Sequence, residues 1–152
     1  MYSAKLRDDI VTWLRTQITG AGAKGAVVGL SGGLDSAVAV ALCHLAFPGD
    51  TLGVIMPCES DPIDTEYSLL LAERLGIRVI TADLTQAWRT LLDAIEPSLP
   101  EADDDSLRFA RANVKPRLRM ATLYYVAARY NYLVVGTENW PELAVGYSTK
   151  YG

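Results

Sequence analysis

One ten-residue stretch, VVGLSGGLDS at residues 27–36, limits the folds open to this chain more than any other feature. A short apolar run meets a Ser-Gly-Gly turn, which is followed by an acid, a hydroxyl and a second apolar run with helical spacing. This order predicts a strand, a tight loop and a helix. Gly32 and Gly33 let the backbone approach a ligand, and Ser31 and Ser36 add hydroxyl donors. The loop N–H groups and the helix N-terminus would favour an anion such as phosphate.

Asp35 does not suit a phosphate partner alone, because a bare carboxylate would repel it. A divalent cation between the two would explain the acid, since Mg²⁺ is typically held by one or two carboxylates and phosphate oxygens. The loop lacks the Lys of a Walker loop and the spacing of the dinucleotide-binding fingerprint. The string Ser-Gly-Gly-x-Asp-Ser instead resembles the pyrophosphate loop of the ATP pyrophosphatases, which cleave ATP between its α- and β-phosphates.

Composition excludes several classes of protein. The 152 residues, half of them hydrophobic, suffice for one domain with a core. A formal net charge of −4 argues against nucleic-acid binding, which usually shows a basic excess. No apolar run has the length of a membrane span and no signal-peptide pattern opens the chain, so we expect a cytoplasmic protein without a membrane partner. Cys43 and Cys58 have no metal-ligand spacing, and we expect free thiols.

Apolar runs and amphipathic segments alternate along the chain. Apolar runs predict strands at residues 26–30, 51–56, 77–81 and 132–135. Helical spacing predicts helices at residues 4–19, 36–46, 64–75, 84–95 and 113–130, with a loop at residues 97–106. The alternation predicts a doubly wound parallel α/β sheet with helices on both faces.

Capping and proline chemistry predict two of the helix starts. Asp64 or Thr65 is expected to cap the helix that ends at Gly76. Pro116 is tolerated only near the first turn, which places the start of the last long helix nearby. Cations at that start would oppose the helix dipole, which favours an anionic partner over a merely solvated basic face; they are Arg111, Lys115, Arg117 and Arg119.

Other groups are expected to be structural. His44 has no nucleophile or metal partner at a suitable spacing, so we expect a packed or surface histidine. The acids at residues 103–105 are expected in a solvated loop rather than at a metal. The first helix carries an apolar stripe that is expected to form core or a subunit contact: Leu6, Ile10, Trp13, Leu14 and Ile18.

Two polar loops follow predicted strands and are therefore expected at the ligand-binding edge of the sheet. The loop at residues 57–62 would help to hold adenine and ribose. The loop at residues 136–142 contains Glu142, which taken alone would be a solvated acid. At a shared sheet edge, however, Asp35 and Glu142 would come within reach of one Mg²⁺.

Two further segments resemble NAD synthetases. Residues 113–120, NVKPRLRM, resemble the N-x-x-x-R-x-R-M segment of that family. Residues 134–143 and 146–152 resemble its G-T-x-N-x-x-E and G-Y-x-T-K-Y-G segments. The first block fits any ATP pyrophosphatase, whereas the later blocks point to the ammonia-using NAD synthetases. The similarity spans nearly the whole chain.

The resemblance implies a ligase that forms a C–N bond on an adenine nucleotide alpha hydrolase-like fold. The nicotinate carboxylate of deamido-NAD would attack the α-phosphate of ATP, and ammonia would then displace AMP to give NAD. Asp35 and Ser36 would be catalytic, Asp35 and Glu142 would hold Mg²⁺, and Arg117 and Lys150 would bind deamido-NAD. The implied ATP-binding residues are Gly29, Leu30, Ser31, Gly32, Gly33, Leu34, Asp35, Ser36 and Thr137.

The resemblance also implies a homodimer with free ammonia as the nitrogen source. Family members continue beyond the residue that matches Gly152, so we expect residues 1–152 to form one domain that lacks the C-terminal part. Two alternatives stay open. One is another ATP pyrophosphatase, such as a tRNA-modifying or GMP-forming enzyme. The other is a non-catalytic ATP-binding module, which would have no need of paired acids.

Overall fold

The computed structural model describes residues 2–146 and 148–152 as alternating helices and strands. In chain order they are α1 (Tyr2–Gly20), β1 (Gly25–Leu30), α2 (Leu34–Ala46), β2 (Thr51–Ile55), α3 (Pro62–Leu75), β3 (Arg78–Thr81), α4 (Thr85–Ile95), α5 (Asp104–Tyr130), β4 (Tyr132–Val134) and α6 (Trp140–Val145). One 3₁₀ turn, Glu96–Ser98, follows α4. Among the helices of these ranges, none combines the length and the apolar character that crossing a bilayer requires.

The four strands form one parallel sheet in the order β3-β2-β1-β4. The chain builds outward from β1 through β2 to β3 and then returns to the other side of β1 as β4. This reversal of direction makes a topological switch point between β1 and β4. The predicted doubly wound parallel sheet is therefore confirmed.

The hydrophobic core lies on both faces of the sheet, as predicted. Successive side chains of a strand point to opposite faces, so Ala26 and Val28 pack with α1 and α2, whereas Val27 packs with α5. On the first face α1 contributes Val11, Leu14 and Ile18. On the second face α5 contributes Val126 and Ala127.

The predicted stripe on α1, expected to form core or a subunit contact, divides between the core and the surface of the single chain. Leu14 and Ile18 are buried, but Leu6 and Trp13 are 57% and 58% exposed in the single chain. The buried face is centred on Val11, Leu14 and Ile18, which recur at three- and four-residue steps. Leu6 and Trp13 therefore lie outside the core.

The predicted cap of α3 is wrong. Asp61, not Asp64 or Thr65, is the N-cap, and its carboxylate accepts a hydrogen bond from the Ile63 N–H at 3.0 Å. Pro62 occupies the first helical position, where its missing N–H costs nothing. Gly76 ends the helix in the left-handed conformation, as its position predicts.

The predicted start of α5 is also wrong. Asp103 caps the helix by accepting from the N–H and hydroxyl of Ser106, so residues 104–106 are helical and only the earlier part of the predicted loop remains. Asp104 and Asp105 lie in the first turn, where the dipole favours acids. Pro116 lies inside the helix, where it removes one N–H from the helical hydrogen-bond ladder. The four cations at residues 111–119 therefore do not lie at a helix start and do not oppose the helix dipole there, so the predicted reason for an anionic partner is wrong.

A hydrogen-bonded group at the amino edge of the sheet joins strand ends that are distant in sequence. The Tyr132 hydroxyl donates to the Asp50 carboxylate at 2.7 Å and accepts from the Arg78 guanidinium at 3.1 Å. Tyr132 is buried, and burial raises the pKa of its hydroxyl. The neutral hydroxyl thus links β4 to Asp50, which precedes β2, and to Arg78, the first residue of β3.

Tyr132→Phe is expected to lower the free energy of unfolding by about 1–3 kcal/mol, because Asp50 loses its donor. Urea denaturation followed by circular dichroism measures the change. Tyr130→Phe is the matched control, since Tyr130 stacks beside Tyr132 at 5.5 Å but is more exposed. Equal effects of the two substitutions would contradict a role for the Tyr132 hydroxyl.

A bidentate ion pair joins the turn after α4 to α5. The Arg111 Nε and Nη2 atoms lie 2.6 and 2.5 Å from the two Glu96 carboxylate oxygens. The hydrogen bond from Arg111 lowers the pKa of Glu96 below its usual 4.5. Arg111 is therefore paired within the described chain.

Glu96→Gln is expected to change how stability depends on pH. A depressed folded-state pKa contributes stability that is present above the unfolded value of 4.5 and lost as pH falls through the folded value. The stability difference between wild type and variant should therefore be constant near neutral pH and shrink in acid. Thermal denaturation between pH 7 and about pH 3 tests this. Asp105→Asn, in an exposed pair with Arg108, should show little difference throughout.

Candidate active site

The switch point opens into a cleft of about 1030 Å³ at the carboxyl edge of the sheet. Its floor is formed by the ends of β1, β2 and β4, and one side is the middle of α5. Four of the predicted ATP-binding residues line it: Gly29, Leu30, Ser31 and Thr137. This is the place where doubly wound sheets bind ligands.

The loop after β1 is held by its own serines. The Ser31 and Ser36 hydroxyl oxygens lie 3.1 Å apart, and the Ser36 hydroxyl donates to the Gly33 carbonyl at 2.9 Å. The Gly33 N–H donates to the Ser31 hydroxyl at 3.3 Å. Ser36 is buried, whereas Ser31 and Asp35 are exposed. Ser36 is thus part of the loop's internal support as well as a predicted site residue.

Gly32 is required by both backbone conformation and space. Its φ is +78°, and an added Cβ would lie 2.7 Å from the Asp64 carbonyl oxygen of α3. The loop therefore passes directly against the first turn of α3. Gly33 follows as the N-cap of α2 and makes no side-chain capping bond, so the first N–H groups of that helix have no such partner.

Glu142 has a local role that the sequence analysis did not predict. Its carboxylate accepts from the Asn139 N–H, and the Asn139 side chain accepts from the Glu142 N–H, both at 3.0 Å. This reciprocal pair starts α6 in the manner of a capping box. The N-x-x-E spacing could have identified it. The predicted loop is therefore wrong at residues 140–142, because they form the first turn of α6.

The predicted metal ligands are two carboxylates on different segments. Asp35 lies in the first turn of α2 and Glu142 in the first turn of α6. Within the described ranges no group of three or more acidic, His or Cys side chains converges on a point. Mg²⁺ needs no more than one or two carboxylates when phosphate oxygens and water complete its shell, so this donor set is compatible with Mg²⁺.

The predicted deamido-NAD residues, Arg117 and Lys150, contact each other and are sequence neighbours of residues that line the cleft, but neither lines it. The Arg117 guanidinium donates to the Lys150 carbonyl at 3.2 Å, and the Thr149 hydroxyl donates to Asn113 at 2.9 Å. These bonds hold the last residues against α5, and Tyr151 and Gly152 line the cleft. Tyr147 of the same motif lies outside the described residues.

The four predicted cations of α5 have different surroundings. Arg111 pairs with Glu96, and Lys115 lies 3.7 Å from Glu59 and 4.6 Å from the Trp88 ring centroid. Arg117 reaches Lys150 as described above. Arg119 lines the cleft and bonds the turn after β2, which the sequence analysis missed because nothing in the sequence links residues 63 positions apart.

The expected structural roles of three other side chains agree with the described structure. Cys43 and Cys58 are buried free thiols. Burial raises the pKa of Cys43 to about 12, and it raises the pKa of Cys58 despite the opposing effect of Lys115 and Arg119. His44 is partly buried in α2, and its Nδ1 makes no hydrogen bond to the described residues. None of the three lines the cleft.

The fold and the loop together define an α/β protein of the adenine nucleotide alpha hydrolase class. The NAD synthase family model matches residues 6–152. The chain therefore belongs to the NAD synthase family.

Relatives with known names are similar over nearly the whole chain. The NH(3)-dependent NAD(+) synthetase of Carboxydothermus hydrogenoformans is 46% identical over 145 residues, which are 95% of this chain and 58% of that protein. The enzyme of the same name from Finegoldia magna is 42% identical over 152 residues, which cover 60% of it. The chain thus spans about three fifths of the length of these curated relatives.

Two solved structures share the fold closely. NMN synthetase from Francisella tularensis superposes with a TM-score of 0.89 at 33% identity, covering 98% of this chain and 60% of that one. NH3-dependent NAD synthetase from Campylobacter jejuni superposes with a TM-score of 0.87 at 27% identity, covering 98% and 62%. The similarity therefore includes the cleft-forming elements.

Gly32→Ala is expected to destabilise the protein by about 1–3 kcal/mol or more, because it combines a left-handed φ with a backbone clash. Chemical denaturation measures the loss. Gly49→Ala is the matched control: its added Cβ meets no atom within 4 Å and its φ is not positive. A Gly32 variant as stable as the control would show that the loop does not need this conformation.

Proposed function

We propose that the protein to which this chain belongs is an ammonia-dependent NAD synthetase. It would use ATP to convert deamido-NAD and ammonia into NAD, AMP and pyrophosphate. The single observation that carries the proposal is the cleft at the β1–β4 switch point, where Ser31 and Thr137 lie on opposite strand ends. Membership of the NAD synthase family and the named relatives support it.

The triphosphate of ATP would lie over the loop at residues 31–36. The uncapped N-terminus of α2 supports this placement, because its free N–H groups and dipole favour an anion. Asp35 and Glu142 would hold Mg²⁺, which when bound neutralises phosphate charge. Thr137 would contact the nucleotide from the β4 side of the cleft.

Arg117 and Lys150 would bind deamido-NAD beside the cleft. The Arg117 guanidinium bonds the backbone carbonyl of Lys150, so the two residues are neighbours, and the positive charge of each suits an anionic ligand. The nicotinate carboxylate would then face the α-phosphate of ATP. Its attack would expel pyrophosphate and give an adenylate, and ammonia would then displace AMP and lose a proton to give the amide. The chain's own contribution is orientation and charge neutralisation, for which no protein nucleophile is required.

A cytoplasmic homodimer is part of the proposal. Exposed apolar side chains on α1 and α5 support a partner surface, namely Leu6, Trp13, Tyr124 and Tyr125. Tyr124 also lines the cleft, so a partner on α5 would lie next to the site.

The first experiment incubates the chain with ATP, Mg²⁺, ammonium and deamido-NAD and follows AMP and NAD. The proposal expects both products to appear together, and only when deamido-NAD is present. ATP binding that is lost when a chelator removes Mg²⁺ supports the proposed ATP site, even if no turnover is seen. Failure to bind ATP with Mg²⁺ would contradict the proposal. AMP formation only with an unrelated acceptor would favour another ATP pyrophosphatase, and ATP binding unaffected by chelator would favour a non-catalytic module.

A second candidate is synthesis of the mononucleotide NMN. The similarity at 33% identity and a TM-score of 0.89 to a structure described as NMN synthetase favours it specifically. The two candidates differ in the acceptor, so the same assay with deamidated NMN in place of deamido-NAD separates them. A higher kcat/KM for the mononucleotide would assign the chain to the second candidate.

Glu142→Gln is expected to reduce turnover by about 100-fold or more, because it removes a charge from the proposed Mg²⁺ site. Its amide oxygen can still accept from the Asn139 N–H, so the cap of α6 and the thermal stability should be kept. Activity as a function of Mg²⁺ concentration is the measurement. Glu138→Gln is the matched control, since Glu138 also lines the cleft. Equal activity of the two variants would contradict the proposed role of Glu142 as a Mg²⁺ ligand.

A further inference from the structure

Arg119 connects α5 to the turn that follows β2. Its Nε donates to the Met56 carbonyl at 3.0 Å, and its Nη2 donates to the Ser60 hydroxyl at 3.1 Å. The Ser60 hydroxyl oxygen in turn accepts from the Cys58 N–H at 3.2 Å. One guanidinium therefore holds both ends of the turn at residues 56–60, which forms part of the cleft wall.

The turn needs such external support because its backbone is strained. Glu59 has a φ of +51°, a conformation that costs a residue other than glycine of order 1 kcal/mol and persists only where the surroundings fix it. On the outer side, the Glu59 N–H donates to the Thr85 hydroxyl and its carboxylate accepts from Arg89. On the cleft side, Arg119 supplies the hydrogen bonds that hold residues 56 and 60.

The partners of Arg119 differ from those of the cations near it. Arg111 and Lys115 face carboxylates, but in the described part of the chain Arg119 forms no ion pair. Its hydrogen bonds go to a carbonyl and a hydroxyl, so its positive charge stays uncompensated at the cleft wall. A lysine would offer a point charge, whereas the planar guanidinium can bond two fixed acceptors at once.

We propose that Arg119 is a positioning residue, which fixes the turn at residues 56–60 in the conformation that ATP requires. The identity of the ligand rests on the function proposed above. Arg119 acts through the turn, while its uncompensated charge makes that wall of the cleft favourable to an anionic ligand.

The test compares Arg119→Ala, Arg119→Lys and Ser60→Ala by two measurements. Amide hydrogen exchange without ligand reports on two N–H groups of the turn: that of Cys58, which donates to Ser60 within the turn, and that of Glu59, which donates to Thr85 of α4. Calorimetry with ATP and Mg²⁺ reports on affinity. Arg108→Ala is the matched control, because Arg108 lies on the same helix in an exposed pair.

Arg119→Ala should raise exchange at Cys58 and Glu59 and weaken ATP binding about 10- to 100-fold, with exchange in β1 and β2 unchanged. Arg119→Lys should restore part of both losses, since it can reach one acceptor, and Ser60→Ala should give a smaller loss of each. If Arg119→Ala does not fold, the lysine and Ser60 variants carry the same comparison. The control should match wild type.

Unchanged exchange in the turn would overturn the proposal, as would unchanged ATP affinity in a variant whose turn has loosened. Either result leaves the proposed function intact, because wild type still binds ATP. Wild type that binds no ATP would instead contradict the proposed function, and the exchange measurement would still decide whether Arg119 holds the turn.

Discussion

Parallel pairing of β1 with both β2 and β4 is the constraint on which the geometry of the cleft depends. Because all strands run the same way, every strand-end loop opens on one edge, and the reversal beside β1 separates two of those loops into a crevice. The buried side chains Val27 and Val28 fix β1 from both faces. Residues more than a hundred positions apart in sequence, such as Ser31 and Thr137, thereby line the same cleft.

The features that could be predicted from the sequence are those that depend on residues close to one another along the chain. The apolar run, the two glycines and the following helix specify β1, its loop and α2 within a few positions. The alternation of elements then gives the sheet, because helical crossovers allow few other topologies. The carboxyl-edge position of Thr137 follows from the same rule and is confirmed by the cleft. The metal and substrate roles of Asp35, Glu142, Arg117 and Lys150 stay predictions.

The features that were not predicted correctly are those for which a local sequence signal does not determine the tertiary structure. Pro116 predicts a nearby helix start, but a helix capped by Asp103 and packed through Val126 and Ala127 tolerates one missing N–H. Apolar spacing places Leu6 and Trp13 on one face of α1, but periodicity does not tell whether the core of the same chain or a partner subunit covers that face. The contacts of Arg119 depend on tertiary folding and have no signature in the sequence.

The starts of the helices differ in whether a side chain accepts a backbone N–H, and this difference relates helix stability to ligand binding. Asp61, Asp83 and Asp103 each accept a backbone N–H at the start of α3, α4 and α5. The start of α2 has Gly33 instead, without a side-chain acceptor. A carboxylate or hydroxyl at that position would stabilise the helix by about 1 kcal/mol but would occupy the N–H groups that an anion needs. The N-cap residue of α2 therefore offers no acceptor that would compete with an anion, and it lies two residues after Ser31, which lines the cleft, as a phosphate site requires.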